Sequence, residues 1–168
     1  MLPSRWNTPP ATRAGRLAVF APALLWYALI CFFSSQTGSE SSELSNLVVE
    51  NSIDWMGDWG AIFRVDWDAL QLLSFLVRKA AHMGVFFVLT GLLLFALWRL
   101  GTSPRAQAGL SLALCALLAG LDEFHQTFVP GRDGKLPDVL IDLAGGACFL
   151  LLWLLLRHLR WRKARAGA

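Results

Sequence analysis

A chain of 168 residues is expected to form one domain. Its residues are 55% hydrophobic and only 16% charged, too few polar side chains to clothe a water-soluble globule of this size, so an integral membrane protein is expected. The net charge of +3 does not point to nucleic acid, because the basic residues cluster at the flanks of apolar runs, where membrane topology accounts for them.

Residues 1–15 carry Arg5 and Arg13 among several Pro and Thr and read as a disordered, positive tail. Leu17 to Phe33 is apolar and predicts the first membrane span. No small-x-small cleavage site follows Phe33, which favours a retained helix over a cleaved signal peptide. The acidic stretch from Ser34 to Trp67 opens with Thr37 and Glu40 at capping-box spacing. Leu44, Leu47, Val48 and Ile53 then recur at helical spacing, which predicts a short amphipathic helix in the first outer loop. Trp55, Trp59 and Trp67 would help hold it at a membrane surface; an ordinary solvated loop is the alternative.

The second span is predicted over Ala80 to Trp98, with Leu70 to Val77 as an amphipathic lead-in. Arg99 to Gln107 reads as a basic turn. Ala108 to about Phe128 is the third span, stopped by Pro130-Gly131. Val139 to Leu156 is the fourth, with Asp138 placed to cap it after Pro137, and residues 157–168 form a basic tail. The fold expected is therefore an all-α integral membrane protein with four transmembrane helices. Cys31, Cys115 and Cys148 each fall in a different apolar run, which argues against disulfides and offers no metal-ligand spacing.

Orientation follows from Lys and Arg. Arg5, Arg13 and Arg16, then Arg99 and Arg105, then Arg157, Arg160, Arg162, Lys163 and Arg165 all fall on one side of a four-span chain. The positive-inside rule makes that side cytoplasmic, with both termini there. The first loop, with Glu40, Glu43, Glu50, Asp54, Asp58, Asp66 and Asp68, then faces out.

The candidate functional residues all gather toward that outer face. Asp122, Glu123 and Gln126 share part of one helix face, at a helix C-terminus where the dipole disfavours acids. A positive partner or a protonated state is expected for them. Arg78, Lys79 and Arg132 lie at similar predicted depth; Lys79 and His82 share a face, and so do Asp138 and Asp142. Ionisable groups at membrane depth default to function. Lys79 and Arg132 would bind phosphate or carboxylate, with Arg78, Asp138 and Asp142 beside them. Asp122, Glu123 and Gln126 would receive hydroxyl or amide groups, and His82 with Asp122 or Glu123 would make an acid/base pair. The competing reading is an architectural ion-pair network with no ligand, since buried charges persist when paired. A metal is conceivable from two His and four acids, His82 among them, but no His-Glu-x-x-His spacing is present, so neither a metal nor another cofactor is expected. Ser34 and Ser35 lack a nucleophile elbow, and Gly145-Gly146 would allow close helix contact.

Four stretches in this order resemble the VanZ-like family of small membrane proteins. They are Phe33-Ser34-Ser35-Gln36, Arg78-Lys79-x-x-His82, Asp122-Glu123-x-x-Gln126 with Gly131-Arg132, and Asp138-Val139-Leu140-Ile141-Asp142-x-x-Gly145. Family members often carry Asn where this chain has Asp142, and Ser or another polar residue where it has Pro137. The resemblance implies a multi-pass protein of a bacterial inner (cytoplasmic) membrane, of a family named for lowered susceptibility to the glycopeptide teicoplanin. It carries over Lys79, His82, Asp122, Glu123, Gln126, Arg132 and Asp138 as the site. The partners it implies are membrane lipid and a lipid-linked cell-wall precursor or lipoglycopeptide; a lipid-modifying enzyme is the alternative. Oligomeric state is not readable from the chain.

Overall fold

The computed structural model describes residues 9, 10, 12–55 and 67–166, and they are helical with no strand among them. The elements in order are α1 (Arg13–Ala18), α2 (Ala21–Ser34), α3 (Gly38–Trp55), α4 (Trp67–Arg99), α5 (Pro104–Gln126) and α6 (Leu136–Ala166). Three of them, α4, α5 and α6, are long and apolar enough to cross a membrane. Leu25, Leu72, Leu117, Phe124 and Leu151 are all more than half exposed. An apolar exterior of this kind belongs against lipid, so this is a multi-pass membrane protein. Arg5 of the predicted tail, and Asp58, Trp59 and Asp66 of the first loop, lie outside the described residues.

The expected first span is broken. Pro22 has no N–H to offer the carbonyl of Ala18, and its ring would crowd that carbonyl, so the chain turns at Val19-Phe20 and restarts as α2. At 14 residues, α2 is about 21 Å long, short of a hydrocarbon core of about 30 Å. It is anchored through polar edges of aromatic rings: Trp26 Nε1 donates to the Val85 carbonyl at 2.8 Å and Tyr27 Oη to the Leu118 carbonyl at 3.1 Å.

The first loop contains the expected helix. Thr37 N donates to Glu40 Oε2 at 2.8 Å and Glu40 N to Thr37 Oγ1 at 3.3 Å, the reciprocal bonds of a capping box. The buried face of α3 is not the Leu stripe, however. It is Ser41, Ser45 and Val49, four apart, which lie against α4, while Leu44, Leu47 and Val48 stay about half exposed. Small side chains let the two helices approach, and Ser74 then donates to Asn46 and Arg78 Nη2 to Ser42 Oγ at 2.8 Å.

Helix α4 is one continuous element, about 50 Å long, joining the predicted lead-in and span. Its N-terminal half carries α3, and it also packs against α2, α5 and α6. Helix α5 starts earlier than expected, at Pro104 behind an Ser103 cap, and ends at Gln126. Helix α6 begins at Leu136, which puts Asp138 inside its first turn instead of at its cap, and the basic tail continues the helix to Ala166. The three cysteines are free. The core between the helices is Ala23, Ile30, Phe86, Leu89, Leu93, Cys115 and Ala119.

Two glycines fix how α6 meets α4. A Cβ on Gly145 would run into the Met83 carbonyl, and one on Gly146 would come within 2.7 Å of Thr90 Oγ1 and 2.8 Å of Cys115 Sγ. Main chain thus rests on main chain one helical turn from Asp142, and this sets Asp142 opposite His82. Gly145→Ala is expected to force the helices apart and cost about 1–3 kcal/mol, as overpacking does elsewhere. A loss of thermal stability in detergent, together with a longer His82–Asp142 spin-label distance, would check it.

Candidate functional site

Three helix ends and the middle of α4 meet at one level. The C-terminus of α2 supplies Ser34, that of α5 supplies Asp122, Glu123 and Gln126, and the N-terminus of α6 supplies Asp138 and Asp142. Arg78, Lys79 and His82 come from α4, and Arg132 from the loop between α5 and α6.

That loop folds back onto the end of α5. A Cβ on Gly134 would collide with the Glu123 carbonyl, so only glycine lets the chain pass. Lys135 N then donates to Glu123 Oε2 at 2.9 Å. Arg132 Nε donates to the Gln36 carbonyl at 2.9 Å and its Nη1 to Gln126 Oε1 at 3.3 Å, tying this loop to the turn between α2 and α3. Gly38 N donates to the Pro130 carbonyl at 3.2 Å in the same junction.

Asp122 is fully buried and is the hub of the polar contacts. Its Oδ2 accepts from Ser34 Oγ and from Gln126 Nε2, both at 2.9 Å. The Gln126 amide also reaches Glu123 Oε1 at 3.3 Å. The positive partner expected for Asp122 and Glu123 is thus replaced, among the described residues, by neutral donors: a hydroxyl, an amide and a main-chain N–H. Arg132 stands one hydrogen bond further out.

Lys79 is spent elsewhere. Its Nζ donates to Asp138 Oδ1 at 2.5 Å, with both side chains about four-fifths buried. His82 Nδ1 lies 3.4 Å from Asp142 Oδ1, without hydrogen-bond alignment, and Asp142 is fully buried. Both Asp142 oxygens, Asp122 Oδ1 and His82 Nδ1 are buried with no hydrogen-bond partner among the described residues.

One donor atom from each of His82, Asp122, Glu123 and Asp142 lies within 4.8 Å of the others. Two carboxylates 4.8 Å apart repel by about 3.5 kcal/mol at an effective dielectric of about 20. Three such acids beside one imidazole require shared protons or a cation. Sequence spacing did not show this set, because it is assembled from three helices. His125 is not one of the four.

A cavity of about 370 Å³ opens beside this cluster, between α2, α3 and α4. Its walls are apolar, with Trp26, Ile30, Leu44, Val48 and Val85 among them, and its polar end is formed by Arg78, Arg132, His82 and Ser34. Burial and then the like charge of Arg78 pull the Arg132 guanidinium below its ordinary range, so the two cations face a common space. Of the expected ligand-binding residues, Arg78 and Arg132 line the cavity, whereas Lys79, Asp138, Gln126 and Asp142 do not. Ser34, which lacks the surroundings of a nucleophile, both lines the cavity and donates to Asp122. Lys135 contributes through its main chain, for which a sequence carries no signal.

A model of the VanZ/LLP1 family matches residues 19–157. A Schizosaccharomyces pombe (strain 972 / ATCC 24843) protein described as "Uncharacterized protein C11E3.10" is 35% identical over 88 residues, which make up 52% of this chain and 52% of that one. The chain therefore matches about half the length of that relative. No solved structure matches.

Proposed function

The chain belongs to the VanZ/LLP1 family, and from that premise we propose that it binds an amphiphile with an anionic headgroup in the cavity between α2, α3 and α4. The observation that carries this is the pairing of Arg78 and Arg132 at the polar end of an otherwise apolar cavity. An apolar chain would replace lipid along Ile30, Val48 and Val85, while a phosphate or carboxylate would draw the two guanidiniums together in place of their mutual repulsion. Lys79, first expected in that role, already has Asp138.

The topology proposed has four crossings, the first made jointly by α1 and α2. The basic residues Arg13 and Arg16, Arg99 and Arg105, and Arg157 to Arg165 then share the cytoplasmic side, and the cavity faces out. In a bacterial inner membrane the ligand would be a lipid-linked cell-wall intermediate or a lipoglycopeptide, which connects the site to teicoplanin susceptibility. A similar chain in a yeast argues for naming the ligand by its shared chemistry, an anionic amphiphile. A charge network without a ligand accounts for Lys79–Asp138 but gives no reason for two arginines to face one cavity. The enzyme reading is favoured by the His82–Asp142 group beside that cavity, and would require a mass change in extracted lipids that Glu123→Gln abolishes.

The test uses the full chain in nanodiscs with polyprenyl phosphate, and polyprenol as the neutral control. Arg78→Met and Arg132→Met are each expected to weaken polyprenyl phosphate binding about tenfold, or about 1.4 kcal/mol, and to leave polyprenol unaffected. Equal affinity for the two lipids, or an unchanged constant in the double variant, would remove the reading.

A further inference from the structure

We propose that His82, Asp122, Glu123 and Asp142 form a binding site for one divalent cation, placed behind the polar end of the cavity. The proposal stands on the donor cluster itself, whatever lipid the cavity takes.

The first ground is the donor set. One imidazole nitrogen and three carboxylates converge with all donor atoms within 4.8 Å of one another. A metal–ligand bond of about 2.1 Å spans about 4.2 Å between opposite donors, so the group closes on an ion with side-chain rotations alone. Carboxylates suit hard ions and the imidazole shifts the preference from magnesium and calcium toward manganese, iron or zinc.

The second ground is independent of the first. Glu123 has both oxygens engaged, by the Gln126 amide and Lys135 N, but the other members of the cluster do not. Asp122 commits Oδ2 to Ser34 and Gln126 and keeps Oδ1 without a partner, and both oxygens of the fully buried Asp142 are also without one among the described residues. His82 Nδ1 is buried and makes no aligned hydrogen bond, its near acceptor being Asp142 Oδ1 at 3.4 Å, so these two atoms are satisfied at most by each other. Buried polar atoms are ordinarily satisfied, and orphaned ones call for an explanation such as a bound ion, an ordered water or a held proton. The nearby cations do not supply it. Lys79 is held by Asp138, Arg132 by Gln126 and the Gln36 carbonyl, and Arg78 by Ser42. A divalent ion would satisfy the free oxygens and the imidazole and cancel the repulsion together. His82 belongs both to the cluster and to the cavity wall, so an ion there is reachable from the cavity.

The experiment takes the chelator-stripped full chain in nanodiscs and titrates it with Mn2+, followed by electron paramagnetic resonance and thermal unfolding. One ion per chain is expected, with a nitrogen coupling from His82 and a rise in Tm of several degrees at saturation. Asp142→Asn, Glu123→Gln and His82→Gln should each lower Mn2+ affinity at least about tenfold, and Glu40→Gln, on α3, should leave it unchanged. Without the ion, neutralising one carboxylate relieves repulsion, so Asp142→Asn and Glu123→Gln should keep or raise the unliganded Tm, which separates lost binding from lost fold. If one of them unfolds, the stoichiometry and nitrogen coupling of the wild type decide. Binding no greater than that of empty nanodiscs, or equal in Asp142→Asn and wild type, would overturn the site. Arg78→Met and Arg132→Met should weaken polyprenyl phosphate binding and leave Mn2+ bound, so the two proposals fail separately.

Discussion

Replacing Lys79 with methionine is expected to cost about 3 kcal/mol of folding stability, and adding Asp138→Asn to the same chain is expected to return most of it. The ion pair spans 2.5 Å between α4 and the first turn of α6, and its side chains are 21% and 19% exposed. Removing one member of a fully buried pair costs about 3–5 kcal/mol, chiefly because the remaining charge is stranded; exposure of a fifth places this pair at the lower end. Methionine keeps an unbranched apolar stem but gives up the ammonium's place over the Phe75 ring, 5.2 Å from its centroid; both chains that carry Lys79→Met share that loss, so the cycle cancels it. In the double variant no charge is stranded. A double-mutant cycle on reversible unfolding in bicelles reads the coupling directly. If the double variant is no more stable than Lys79→Met alone, the pair is not what holds α4 to α6. This cycle also bears on function. A Lys79 engaged this tightly is a structural cation, and polyprenyl phosphate binding should survive its loss in the stable double variant.

The sequence made one level of the molecule legible. Charges on three apolar segments, at Arg78 to His82, Asp122 to Gln126 and Asp138 to Asp142, could only be tolerated if they converged, and they do. The cost of an isolated charge in an apolar medium forces that conclusion without any knowledge of packing. The capping box at Thr37 and Glu40 was legible for a similar reason, since it is a local bond pattern written within four residues. Which charge met which was not legible. Periodicity places Lys79 and His82 on one face of α4, but not the register of α6 against it. That register is set by Gly145 resting on the Met83 carbonyl, a contact between two backbones.

The first helix and the first loop show where pattern misleads. Hydropathy averages over Pro22 and reports a continuous span, whereas one missing N–H is enough to divide it into α1 and α2. In α3 the eye follows Leu44, Leu47 and Val48, yet the face against α4 is Ser41, Ser45 and Val49. Burying large apolar side chains drives association in water. Between helices in a membrane, lipid solvates leucine as well as a neighbouring helix does, and close packing of small residues decides instead. Leu44 and Val48 are thereby left to line a cavity together with Ser41 and Ser45, where a soluble-protein reading of the same stripe would have placed core.

Asp122 offers the sharpest contrast between two substitutions at one position. Asp122→Ala should be less stable than Asp122→Asn by about 2–4 kcal/mol in protein freed of divalent ions. Alanine removes the acceptor of both the Ser34 hydroxyl and the Gln126 amide at 2.9 Å, leaving two buried donors unpaired in a fully buried site. Each unpaired donor costs about 1–3 kcal/mol, and the missing carboxamide volume adds to that. Asparagine presents its carbonyl oxygen to the same two donors and deletes one of three clustered negative charges. Repulsion of about 3.5 kcal/mol per carboxylate pair at 4.8 Å is the opposing term, and both substitutions remove it equally. The comparison therefore isolates the hydrogen bonds, while each variant against wild type reports their balance with repulsion. Asn should match or exceed wild type, and Ala should fall below Asn. Unfolding measured in chelator would show whether the order holds. Equal stability of Ala and Asn would mean that the Ser34 and Gln126 bonds contribute nothing, and that α2 is held to α5 by the apolar contacts of Ala23 and Ile30 and by the Tyr27–Leu118 bond alone.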